Sequence, residues 1–265
     1  MTARLRGAFD RAARERRAAL VAYLTFGDPS PAASIDIVEA AARAGADVIE
    51  LGVPFSDPSA DGPSIQRAME RALAAGATLA GALDAVAELR RRGVSVPIVV
   101  FGYYHPIFVY GADAFAARAA AAGADAALTV DLPIEELDEL ARPLAAHGLA
   151  PIPLVAPTST PARIARLGEL RSPPFVYYIA VVGVTGVAPH SGAAPVDPAR
   201  LAQIREAARA PVAVGFGIRT AADAARFAAI ADGVVVGSAL VDRAAAGPDA
   251  VGALVAELAA AMRRP

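Results

Sequence analysis

The sequence predicts one α/β domain over residues 1–265, a (β/α)8 TIM barrel with an extra N-terminal helix. Three observations carry this expectation. Eight short apolar runs alternate with Ala-rich amphipathic stretches, the pattern of parallel strands joined by helices. The runs are apolar nearly throughout, as strands covered on both faces must be. The best glycine motifs follow the sixth, seventh and eighth runs, where a barrel builds a phosphate site. An open doubly wound sheet would carry its glycine-rich turn after the first strand. Here that strand ends in Thr25-Phe26-Gly27-Asp28-Pro29, which lacks the fingerprint.

Residues 2–17 read as a helix ahead of the barrel, suited to plug its N-terminal end. The first strand is expected at Ala19–Phe26 and the second at Asp47–Val53, with a proline-opened helix, Pro31–Ala44, between them. Pro63–Gly76 is the next helix, closed by glycine. The third strand, Val96–Tyr103, and the fourth, Ala124–Val130, flank the helix Asp113–Gly123. The helix Pro133–Ala146 precedes the fifth strand, Leu149–Ala156. Thr160–Leu170 leads to the sixth strand, Pro174–Val181, and Asp197–Ala208 to the seventh, Pro211–Ile218. Thr220–Ala229 leads to the eighth, Asp232–Ala239. Openings at Asp, Thr or Pro and closures at Gly are the residues that helix ends favour.

Composition narrows the function. Hydrophobic residues make up 55% and charged residues 20%, a globular balance and not a disordered one. The net charge of −2, with dispersed basic residues, argues against nucleic-acid or membrane-surface binding. The one basic cluster, Arg11, Arg14, Arg16 and Arg17, reads as a solvated helix face. The absence of cysteine excludes disulfides, thiolate catalysis and Cys-ligated zinc, and fits a cytoplasmic location. No run reads as a membrane span. His105, His147 and His190 are too dispersed for a metal site, so no metal is expected.

The segment Glu50-Leu51-Gly52-Val53-Pro54-Phe55-Ser56-Asp57-Pro58 is the most informative. Glu50 lies inside an apolar strand, where a carboxylate is costly unless it serves a polar site. Facing the barrel mouth, it would have a raised pKa suited to proton transfer near neutrality. Asp61 follows on a loop that carries Pro54, Pro58, Gly62 and Pro63, a candidate lid. The bland alternatives are an ion pair for Glu50 inside the barrel and an N-cap for Asp61 on the following helix. Two carboxylates at the C-terminal end of one strand favour catalysis.

The motifs Gly183–Gly186, Gly215–Ile218 and Gly237–Ala239 end the last three strands. Glycine lets backbone N–H groups approach an anion closely. The stretch from Ser238 reads as the extra helix of a barrel phosphate site, and Ser238 adds a hydroxyl donor.

Together, the second-strand motif, the TFGDP after strand one, the DLPIEE after strand four and the three glycine motifs resemble the tryptophan synthase alpha chain family. The resemblance covers nearly the whole chain. It implies retro-aldol cleavage of indole-3-glycerol phosphate to indole and glyceraldehyde 3-phosphate, without a cofactor. It implies that Glu50 is the acid–base, and that Asp61 binds the indole N–H and stabilises the cationic intermediate. Tyr177 would line the site beside Glu50. The phosphate would be held by Gly186, Gly217, Gly237 and Ser238, with the backbone of Phe216. The lid residues are Asp57 and Thr185. The indole wall is expected from Tyr23, Phe101 and Leu128, placed by strand position. The implied partner is a beta chain in an α2β2 tetramer.

Three places depart from the family pattern: His105 stands where asparagine is usual, residues 180–182 are apolar, and the stretch after Gly186 differs. Two alternatives stay open. One is a stand-alone indole-releasing lyase of secondary metabolism. The other is a catalytically idle phosphate-binding paralog.

Overall fold

The computed structural model describes residues 3–170, 173–180, 196–215 and 217–264. An N-terminal helix α1 (Ala3–Arg14) is followed by β1 (Ala19–Thr25), α2 (Pro31–Arg43) and β2 (Val48–Gly52). Two helices then follow in succession, α3 (Pro63–Ala74) and α4 (Leu79–Arg91), before β3 (Ile98–Gly102). Next come α5 (Tyr104–Tyr110), α6 (Ala112–Ala122), β4 (Ala126–Thr129) and α7 (Asp138–Ala146). The fifth run is split into β5 (Ala150–Pro151) and β6 (Leu154–Val155), followed by α8 (Pro161–Ala165) and β7 (Val176–Ile179). The chain continues through α9 (Pro198–Ala208), β8 (Val212–Gly215), α10 (Ala221–Ala228) and β9 (Gly233–Val236). It closes with α11 (Ser238–Ala244) and α12 (Pro248–Ala261).

Every strand pairing is parallel, in the order β5-β4-β3-β2-β1-β9-β8-β7-β6. The two ends of that order are halves of one run, and this run closes the barrel. Ile152 N–H donates to the Ala127 carbonyl at 2.8 Å on one side, and Tyr177 N–H donates to the Pro153 carbonyl at 3.0 Å on the other. The split has a sequence cause. Pro151 and Pro153 have no N–H to donate towards β7, so the ladder there is incomplete.

Strand alternation sorts side chains into two cores. Leu20, Leu24, Ile49, Leu51, Ile98 and Val100 face outward, against the helices. Val21, Tyr23, Val48, Val99, Phe101, Leu128, Phe175 and Ala213 fill the barrel interior. The inward stripe of α1, Leu5, Ala8, Phe9 and Ala12, joins this inner cluster, and the Phe9 and Phe175 rings lie 5.2 Å apart. The N-terminal helix therefore plugs the barrel, as expected.

The plugged end is pinned by a repeated device. Asp47, Asp125 and Asp232, each preceded by alanine and leading into a strand, accept from the backbone N–H of Leu20, Ile98 and Val212, all at 2.9 Å. Arginines pair with each acid: Arg17 and Arg11 with Asp47, Arg90 and Arg4 with Asp125, and Arg205 with Asp232. This corrects the solvated-face reading for Arg17, whose side chain is mostly buried against Asp47; Arg11 stays exposed on α1 while it reaches the same carboxylate. The opposite end of the barrel is left for chemistry. Among the described residues, no single helix is long and apolar enough to cross a membrane.

Candidate active site

Parity decides where Glu50 points. β2 presents Ile49 and Leu51 to the helices, so Val48 and Glu50 turn into the barrel. Glu50 is 0% exposed, and neither carboxylate oxygen has a hydrogen-bond partner. The ion-pair alternative for this residue therefore fails. Burial alone pushes its carboxyl up to about 8. The group is protonated at neutral pH, and with no bond to break it is ready to act as an acid.

Asp61 arrives at the same space from the loop after β2. Helix α3 begins at Pro63 with Gly62 as its N-cap and no side-chain cap, so Asp61 does not cap it. Its Oδ2 instead accepts from the Tyr103 hydroxyl at 2.7 Å. Burial raises the Asp61 carboxyl to about 6, and the bond from Tyr103 holds it lower than burial alone would. The two acids therefore have separated ionisation ranges.

Tyr103 is a site residue that sequence reasoning missed. Its hydroxyl also accepts from Ala60 N–H at 2.9 Å, and its ring lies 5.1 Å from that of Phe55. It thus fixes the acid-bearing loop at three points. The signal was available, since counting by twos from Val99 through Phe101 brings residue 103 inward. Asp57 sits on the exposed outer turn of the same loop.

One cavity brings the predicted groups together. Glu50, Asp61 and Tyr177 line it together with the rings of Tyr23 and Phe101 and with Gly217, Gly237 and Ser238. Tyr23 and Phe101 meet edge to face, with centroids 5.0 Å apart. Leu128 shares their inner cluster but is fully buried and does not reach the cavity wall. Gly186, Thr185 and Phe216 lie outside the described residues. Burial first, then the nearby Glu50 and Asp61, raise the Tyr177 phenol well above its ordinary range, so it stays neutral.

Two glycines make room for the tyrosines. A Cβ at Gly52 would overlap the Tyr23 hydroxyl, and one at Gly215 would overlap the Tyr177 hydroxyl. Gly215, which the motif grouped with the phosphate turn, thus serves the aromatic side of the site. Gly217 has a φ of +69°, and a side chain there would project into open space. Gly215→Ala is expected to displace the Tyr177 ring and lower turnover about 10²-fold, as small misplacements in active sites do. The overpacking should cost about 1–3 kcal/mol of stability. Steady-state kinetics and thermal melting of the variant check both effects.

The chain's relatives bear on what this cavity does. A family model described as tryptophan synthase alpha chain matches residues 9–264. The tryptophan synthase alpha chain of Dechloromonas aromatica is 50% identical over 241 residues, covering 90% of this chain and 88% of that one. The corresponding protein of Nitrosococcus oceani is 51% identical over 229 residues, covering 86% and 83%. Among solved structures, Mycobacterium tuberculosis tryptophan synthase superposes with a TM-score of 0.90 at 40% identity, covering 100% of both chains. Tryptophan synthase subunit alpha from Legionella pneumophila gives 0.88 at 36% identity, covering 99% of both.

Proposed function

Since the chain belongs to the tryptophan synthase alpha chain family, we propose that its cavity performs that family's reaction through the residues described above. The protein is a carbon–carbon lyase of tryptophan biosynthesis, cleaving indole-3-glycerol phosphate to indole and glyceraldehyde 3-phosphate. Residues 1–265 act as one catalytic domain, and the enzyme works in the cytoplasm.

Glu50 delivers its proton to the indole ring carbon that bears the side chain. Positive charge then develops at the ring nitrogen, where the Asp61 carboxylate stabilises it. The Glu50 carboxylate, left buried and basic, takes the proton from the side-chain hydroxyl next to the breaking bond. The carbon–carbon bond cleaves, indole and the aldehyde separate, and Glu50 regains its starting proton. Tyr177, Tyr23 and Phe101 confine the ring. Gly217, Gly237 and Ser238 hold the phosphate, with Gly186 and the Phe216 backbone, and Asp57 and Thr185 belong to the covering loops. Phosphate binding supplies energy remote from the reacting bond. The observation that carries this reading is a buried, unpartnered Glu50 on the same cavity as a hydrogen-bonded Asp61.

The two acids also predict the pH profile. Activity requires Glu50 protonated and Asp61 ionised. With carboxyls at about 8 and about 6, kcat/KM should be bell-shaped with its maximum near pH 7. It should fall below about pH 6 as Asp61 gains a proton, and above about pH 8 as Glu50 loses one. A monotonic profile across pH 5–9 would remove this assignment.

A beta chain is the partner, in an α2β2 tetramer that receives the indole. Support comes from α5, which exposes Phe108 at 65% and Val109 at 71% beside the catalytic end of the barrel, an apolar pair suited to a protein contact. Indole release by the purified protein should be slow alone and rise when a beta chain is added. Fast release that a beta chain leaves unchanged would favour a stand-alone lyase.

A further inference from the structure

The phosphate donors named above, Gly217, Gly237 and Ser238, are neutral. The cavity is also lined by Arg219, two residues after Gly217 and the one cationic residue among its described lining residues. We propose that Arg219 is the charge-selecting residue of the phosphate end, discriminating a dianionic phosphate substrate from an uncharged one. This inference rests on the phosphate reading above.

Both ends of Arg219 are held. Its backbone N–H donates to Asp223 Oδ2 at 3.3 Å, alongside the reciprocal cap of Thr220 and Asp223 that opens α10. Its Nη2 donates to Asp242 Oδ2 at 2.8 Å. Asp242 lies four residues after Ser238 on α11, so the two share a helix face. The guanidinium is therefore tethered on the same side of α11 as the serine hydroxyl assigned to phosphate. Asp242 is in turn bonded by the Ser64 hydroxyl on α3, the helix that directly follows the Asp61 loop. A guanidinium has five N–H donors in a planar fork, and the bond to Asp242 uses one. The remaining donors suit phosphate oxygens, which arginine binds with charge-assisted bonds.

A plain surface ion pair is the competing account. Arg219 and Asp242 are 48% and 37% exposed, and pairs of that kind contribute little to stability. That account predicts no effect on substrate affinity. Steady-state kinetics with indole-3-glycerol phosphate and calorimetric titration with inorganic phosphate separate the two. Arg219→Gln should raise KM and the phosphate Kd about three- to tenfold, with the loss falling in KM and little in kcat. Its KM should also rise less steeply with salt than the parent's, because the screened contact is gone. Arg219→Lys should recover part of the affinity, since it keeps the charge but not the fork. If Ser238→Ala weakens phosphate binding and Arg219→Gln does not, Arg219 is only an ion-pair partner and the inference fails. If neither variant changes phosphate binding, the phosphate reading itself falls and takes this inference with it.

Discussion

Glu50→Gln is expected to abolish indole release, lowering kcat by about 10³–10⁴-fold, at the upper end of what acid–base groups contribute. The substitution keeps the side chain's size and leaves no ionisable proton for the indole ring carbon. Because Glu50 makes no hydrogen bond, its replacement breaks no existing contact, so phosphate binding should persist. The variant should also be the more stable protein near neutral pH. The folded carboxyl titrates at about 8, raised from 4.5. Between those values the folded protein keeps a proton that the unfolded chain has released, so wild-type stability falls as pH rises through that window. Glutamine has no such dependence. Its melting temperature should pull ahead of the wild type's as pH approaches 8, which is the usual trade of stability for function. Turnover within a few-fold of wild type would remove Glu50 from the mechanism.

Asp61→Asn is expected to cost about 10²–10³-fold in kcat, comparable to removing one electrostatic partner of a developing charge. Asparagine still offers an oxygen to the Tyr103 hydroxyl, so the loop should hold its position. What disappears is the negative charge facing the ring nitrogen. The acidic limb of the pH profile near 6, assigned to Asp61, should vanish with it. A variant that melts earlier yet turns over normally would return Asp61 to a structural role. Indole binding measured at equilibrium should weaken much less than kcat falls, because the charge is needed after protonation and not before.

Much of the fold was legible because barrel strands and their helices leave local signals. Alternation and length located the eight runs, and the prolines at 151 and 153 already contained the reason why the fifth is split. The two helices in succession after β2 were less visible, since the alanine-rich stretch from Leu79 carries a helix signal but no strand separates it from α3. The ion pairs of Arg11 and Arg17 were invisible for a different reason. Asp47 is 36 and 30 residues away from them, and no local pattern reports a contact across that distance.

For the site, the sequence by itself determined the chemistry available: an acid in an apolar strand, a second acid on the next loop, and glycine turns that follow the later strands. Tertiary structure alone decided what those groups became. Closing the barrel removed Glu50 from water without giving it a partner, and brought Tyr103 onto Asp61 from 42 residues away. It also turned Gly215 from a presumed phosphate turn into the gap that admits the Tyr177 ring. Residue types fix which protons can move. Their pKa values and roles depend on dielectric and contact, which exist only once distant strands share one interior.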